Sequence, residues 1–167
     1  MGGDAYARRI NQFSSALYQE CGLKLAYHHH LMMLVEHQDA IERFFSATTN
    51  DVGMLLDTGH AVAAGSDLTA LISRFGSRIC HIHLKDIRRE RMAQVYEQDQ
   101  SFNEGVRGGM FTVPGDGYID YQPVVDYVSS SGYRGWLIVE AEQDPLKAPP
   151  VPTVTRAFNH VNHLFSL

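Results

Sequence analysis

Four runs of the sequence concentrate residues able to do chemistry: "YHHH" at Tyr27 to His30, "DTGH" at Asp57 to His60, "HIHLKD" at His81 to Asp86, and "EAEQD" at Glu140 to Asp144. They hold imidazoles, carboxylates and one ammonium, and no thiol. Asp57, His83 and Glu140 would supply a carboxylate, an imidazole and a second carboxylate to a common point. Such a mixed oxygen and nitrogen set suits manganese, cobalt, iron or zinc, and the more carboxylate-rich it is, the harder the ion it favours. Taken one at a time, each residue has a plainer reading: Asp57 as a loop cap, a strand histidine as a structural group. Recurrence at four successive strand ends turns the balance toward a metal-centred pocket. His60 follows Asp57 by three residues and would bind substrate, meet a carboxylate behind the ligands, or begin the next turn. Lys85 would stabilise an oxyanion, act as acid or base, or pair with Asp86.

The elements that must position these groups alternate along the chain. Ile10, Phe13 and Leu17 predict a helix over Tyr6 to Cys21, stopped by Gly22, and "LKLAYHHHL" then reads as a strand. A helix around Gln38 to Ser46 precedes the strand "VGMLLDTGH". A helix from Ser66 or Asp67 to Gly76 precedes "ICHIHL", in which His81, His83 and Lys85 share one side and Cys80, Ile82 and Leu84 the other. Arg88 to Arg107 is polar and reads as a mobile lid, or a loop with one helical turn. "VPGDGYIDY" lacks phosphate-loop spacing and reads as a turn into a helix from about Tyr121, capped by Asp120 and ended by Gly132. The strand "GWLIVEAEQDP" and a closing helix carrying Val154, Phe158, Val161 and Phe165 complete the series.

Strands connected by helices run parallel, so the fold class is α/β, and the polar residues collect at the C-terminal edge of the sheet, where ligands bind in such folds. Only four strong strands are present, enough for part of an eight-stranded barrel or for an open sheet. The 167 residues, 44% of them hydrophobic, have the profile of a globular protein organised as a single domain, 1–167. Cys21 and Cys80 are too few for a disulfide framework. No apolar run approaches a membrane span and no secretion signal is visible, which predicts a cytoplasmic location. A net charge of -5 gives no pull toward nucleic acid or anionic membrane.

"YHHH", "LLDTGH", "HIHLKD", "FTVPGDGYIDY" and "GWLIVEAEQDPLKAPP" together resemble the inosose dehydratases of myo-inositol breakdown, members of the xylose-isomerase-like superfamily, from roughly Leu23 to the C-terminus. "VEAEQDP" with "VPGDG" is the more specific part; "DTGH" and "HLKD" are shared across the superfamily. The resemblance implies a (β/α) barrel of the TIM type, present here as its C-terminal half, with manganese or cobalt at the mouth and glutathione as a further cofactor. It implies dehydration of 2-keto-myo-inositol to a trihydroxycyclohexane dione. Carried over by motif, the metal ligands are Asp57, His83 and Glu140. Related isomerases place a ligand glutamate where this chain has His28, with His30 on the same face. Where the dehydratases carry Gly-Thr after the histidine cluster, this chain has Met32 and Met33.

The chemistry expected is metal-assisted. A chelated hydroxyketone has an acidified α-hydrogen, a base removes it, and the β-hydroxyl leaves as water. Glu142 is the base or a partner of the ligands; His30, His60 and Lys85 are candidates for the acid or for holding ring hydroxyls. A sugar isomerase or epimerase on the same scaffold, or a catalytically silent fragment that binds metal, are the alternatives. Half a barrel exposes two sheet edges, which predicts a homo-oligomer or a partner that supplies the missing half.

Overall fold

In the computed structural model, which describes residues 3–166, the alternating periodicities become a parallel sheet with helices packed on one face. The strands are β1 (Ala26–His28), β2 (Gly53–Asp57), β3 (Ile79–Leu84), β4 (Asp86–Ile87), β5 (Phe111–Thr112) and β6 (Leu137–Val139). β1, β2, β3 and β6 form one sheet in that order with every pair parallel, while β4 and β5 make a short antiparallel pair above it. The helices are α1 (Gly3–Cys21), α2 (Gln38–Ala47), α3 (Thr58–Ala63), α4 (Leu68–Phe75), α5 (Arg89–Glu97), α6 (Phe102–Gly108), α7 (Gln122–Ser131) and α8 (Pro150–Phe165). The arrangement is a partial barrel, as the α/β reading expects.

The core lies between the sheet and this helical layer. Ile41, Phe44 and Phe45 of α2, Leu71 and Phe75 of α4 and Val124 of α7 meet Met54, Leu56, Ile82 and Leu84 from the strands, all buried. Each such side chain contributes roughly 1.5–3 kcal/mol by leaving water. Helix ends follow local chemistry: the Asp67 carboxylate accepts from Thr69 N and Ala70 N at the start of α4. Asp120 accepts from Gln122 N, so α7 begins one residue later than its sequence suggests.

One irregularity decides what the inner face carries. Pairing of β2 with β3 runs Met54 to Ile79 and then Leu55 to His81, leaving Cys80 as an extra residue. Strand side chains alternate, so this bulge changes phase and places His81 and His83 on the same face as Leu55 and Asp57. Without it His83 would point into the helical layer.

The polar stretch after β3 departs from expectation. Arg88 to Arg107 is not a loop with one helical turn but carries two packed helices, α5 and α6, with Met92, Val95 and Gly105 buried. The overlooked signal is the capping box in which Ser101 accepts from Glu104 N while the Glu104 carboxylate accepts from Ser101 N. Among the described residues no helix is long and apolar enough to cross a membrane.

Candidate metal centre

The site is built around Asp57, the last residue of β2 and completely buried. Its two oxygens have different tasks. Oδ1 accepts from His60 N at 2.9 Å and starts α3, so the cap reading of this residue holds for one oxygen. Oδ2 lies 3.4 Å from His28 Nε2, 3.5 Å from His83 Nδ1 and 3.7 Å from Lys85 Nζ, and accepts a hydrogen bond from none of them. His28 Nε2 is buried and unpaired as well. Two orphaned polar atoms facing each other in a buried site mark a place built for something else to occupy.

Glu140 and Glu142 reach the same point by a different route from the one their spacing suggests. β6 ends at Val139, so the two do not share a strand face. Instead Glu142 adopts φ +43, a left-handed conformation rare outside glycine, and the turn swings its carboxylate back beside that of Glu140. Glu140 Oε2 lies 3.1 Å from His83 Nδ1 and 2.8 Å from Lys85 Nζ, and Lys85 also donates to Glu142 Oε2. Asp57, His83 and Glu140 each bring a ligand atom within 4.8 Å of the others; so do His28, Asp57 and His60.

This strand order, the convergence of the four strand ends and their ligand set are accompanied by a match of residues 3–161 to the model of the xylose isomerase-like TIM barrel family. The chain belongs to that family. It is 42% identical over 148 residues to the rhizopine catabolism protein MocC of Rhizobium meliloti, covering 89% of this chain and 45% of that protein. It is 43% identical over 145 residues to an inosose dehydratase of Lacticaseibacillus casei, covering 86% of this chain and 49% of that one, in line with the resemblance read from its motifs. Among solved structures, the IolI protein with a bound zinc atom superposes with a TM-score of 0.72 at 18% identity, over 98% of this chain and 56% of IolI. The chain thus spans about half the length of the curated relatives it matches.

At the mouth of this partial xylose isomerase-like barrel, Lys85 is held by more groups than its sequence neighbours suggest. It does not pair with Asp86, because that carboxylate turns away to accept from Ile87 N and Ile119 N and so ties down the "VPGDG" loop. A Cβ on Gly117 would meet Asp86 Oδ1 at 2.1 Å, which fixes glycine there. Lys85 is fully buried, 3.0 Å from His60 Nε2 and 4.7 Å above the Phe111 ring. Its stem occupies the space a Cβ on Gly59 would need, at 2.5 Å, and Thr58 Oγ1 and the Tyr121 hydroxyl both donate to its carbonyl. The Thr and Gly of "DTGH" therefore serve Lys85, a role sequence alone did not reveal. Phe102, at the start of α6, is a second residue the sequence hid in a polar stretch. Its ring centroid lies 5.1 Å from that of His30, which stacks on His60 at 3.7 Å. His30 Nδ1 meets the Leu31 carbonyl at 2.8 Å, so that nitrogen carries the proton and Nε2 remains an acceptor.

Charges in the site are tightly coupled. Burial pushes the Asp57 carboxyl up, but the neighbouring His28 and His83 imidazoles, with His60 and Lys85, hold it well below the usual range. Asp57 and Glu140 push the His83 imidazole up to about 9 against its burial. His83 and Lys85 hold Glu140 low. Burial would lower Lys85, yet Asp57, Glu140 and Glu142 raise it. His60 falls to about 2, chiefly through burial, and is neutral. Three carboxylates thus face the Lys85 ammonium and the His83 imidazolium, and a cation that displaces the His83 proton would meet an excess of two negative charges. With the orphaned Asp57 Oδ2 and His28 Nε2, that balance fits a divalent cation.

Proposed function

We propose that the chain carries the metal-holding half of a hydro-lyase that removes water from a polyol ketone, with 2-keto-myo-inositol as substrate. The observation that carries the reading is Asp57 Oδ2, buried and without a hydrogen bond, 3.4–3.7 Å from His28, His83 and Lys85. Asp57, His83, Glu140 and His28 would hold a divalent ion, manganese or cobalt by the dehydratase resemblance. When bound it supplies the Lewis acidity that stabilises enolate charge. Zinc is the third candidate, because the IolI neighbour holds that metal.

The remaining work falls to protein groups. Glu142 is half-buried at the pocket wall, and its carboxylate takes the α-proton. The same carboxyl hands that proton to the departing β-hydroxyl, so one C–H and one C–O bond break, a C=C bond forms and water leaves. Lys85, fixed at its carbonyl and its ammonium, donates to the Glu142 carboxylate and keeps it aimed into the site. His30 Nε2 accepts from a ring hydroxyl, and His60 backs both His30 and Lys85.

Titration with manganese, cobalt and zinc, followed by an assay for water loss from 2-keto-myo-inositol with and without glutathione, tests the reading. One ion per chain and dehydration in the completed barrel are expected. Ketose interconversion without water loss would replace the lyase by an isomerase or epimerase. Tight metal binding with no turnover of any polyol ketone in the completed barrel would leave a binding protein only.

A further inference from the structure

The turn after β1 places one residue's backbone between two imidazoles. His30 Nδ1 lies 2.8 Å from the Leu31 carbonyl, and Leu31 N lies 3.3 Å from His60 Nδ1. The two rings stack with centroids 3.7 Å apart and a tilt of 32°. A carbonyl only accepts and a backbone N–H only donates, so the two contacts demand opposite things of the same ring position. His30 Nδ1 must carry a hydrogen, and His60 Nδ1 must not. An imidazole keeps at least one ring hydrogen, so that of His60 sits on Nε2.

A rival donor competes for the second ring. Lys85 Nζ lies 3.0 Å from His60 Nε2, and an ammonium donating there would require the ring hydrogen on Nδ1 instead. The remaining hydrogen bonds decide between the two donors. Lys85 has carboxylate acceptors at Glu140 Oε2, 2.8 Å away, and at Glu142 Oε2. Leu31 N has no acceptor other than His60 among the described residues, and a buried N–H is rarely left without one. The turn also holds Leu31 in place. Its side chain is buried in the core, His30 N donates to the Val35 carbonyl at 3.0 Å, and Met32, at φ +59, donates from its N to Glu36 Oε1 at 2.8 Å.

We infer that Leu31 is a positioning residue whose backbone sets opposite tautomers in the two stacked imidazoles, Nδ1–H in His30 and Nε2–H in His60. The consequence rests on the proposed lyase chemistry. His30 Nε2 is then the nitrogen that accepts from a ring hydroxyl. His60 Nε2–H faces Glu142 Oε2 at 3.6 Å, the oxygen that Lys85 already holds, which leaves Glu142 Oε1 to take the α-proton.

The test is the nitrogen NMR spectrum of the histidine rings in the metal-free 167-residue chain at neutral pH, which separates protonated from bare ring nitrogens. The His30 and His60 signals are assigned by their loss in His30→Gln and His60→Gln. Nδ1–H in His30 and Nε2–H in His60 are expected. Leu31→Ala keeps both backbone groups and should preserve the pair. Replacing the Leu31 N–H by an ester oxygen should move the His60 tautomer ratio toward Nδ1–H by at least roughly fivefold, the worth of one net hydrogen bond, and leave His30 as it is. A hydrogen on His60 Nδ1 in the parent chain would overturn the inference in favour of Lys85 as the donor. An unmoved His60 ratio in the ester would overturn Leu31 as its cause. Neither readout uses turnover or a metal, so the tautomers and the lyase proposal fail separately.

Discussion

The two ends of the sheet bury opposite charges and treat them in opposite ways. At the N-terminal end of β3, Arg78 is nearly inaccessible, and its guanidinium donates to the carbonyls of Phe45, Thr48, Thr49 and Val52 and to the Thr48 hydroxyl while lying 4.9 Å from the centre of the Phe45 ring. At the C-terminal end, Asp57 is as deeply buried, yet one of its oxygens has no hydrogen bond at all. A buried charge with its hydrogen bonds filled fastens loops together and contributes stability; at Asp57 the neighbouring His83 and Lys85 favour the charge and leave one oxygen open to a ligand. The contrast follows the division of a barrel into a face that holds the fold and a face that does chemistry.

Breaking the satisfied end should have the largest effect. Arg78→Met strands several carbonyls at once and is expected to cost about 3–5 kcal/mol in urea unfolding. Metal affinity of the molecules that remain folded should not change; a parallel loss of affinity would show that the two ends are not independent. Asp57→Asn keeps an oxygen for the α3 cap and loses the anionic ligand. Affinity for manganese by calorimetry should fall at least ~100-fold, more than a change behind the ligands produces. By mass action, manganese at one hundred times the parent's dissociation constant should stabilise the parent chain by ~2.7 kcal/mol and Asp57→Asn by no more than ~0.4 kcal/mol.

The smallest effect concerns His29, which is wholly buried with neither ring nitrogen paired, its pKa lowered to about 4 by burial. His29→Leu should gain ~1 kcal/mol at neutral pH by removing an unsatisfied polar group. The folded ring stays neutral while the unfolded one takes up a proton below about 6.5. The parent chain therefore holds this stability above that pH and loses it as pH falls toward 4, by at most ~1.4 kcal/mol per pH unit. The Leu variant, measured without metal, should lack that part of the slope; an identical slope would mean that another group carries it.

The residues proposed as ligands are legible in the sequence because strand ends are marked by position alone: a polar residue closing an apolar run, four times over. Asp57 stands in two groups for that reason, one with His83 and Glu140 and one with His28 and His60. Glu142 was found for a mistaken reason, since a left-handed turn and not strand alternation aims it. The Cys80 bulge left no trace in composition, because an extra residue in a strand is visible only against the partner's register. Phe102 and Arg78 escaped because each acts through distant chain: Phe102 through the fold of α6 onto His30, Arg78 through carbonyls that any sequence would supply.

The hydrogen bond from His60 N to Asp57 Oδ1 has one more result. It locks the carboxylate plane by way of a helix start that exists before any cation arrives. Capture of an ion then freezes no rotor at that side chain, so the entropy of ordering it has already been spent in folding.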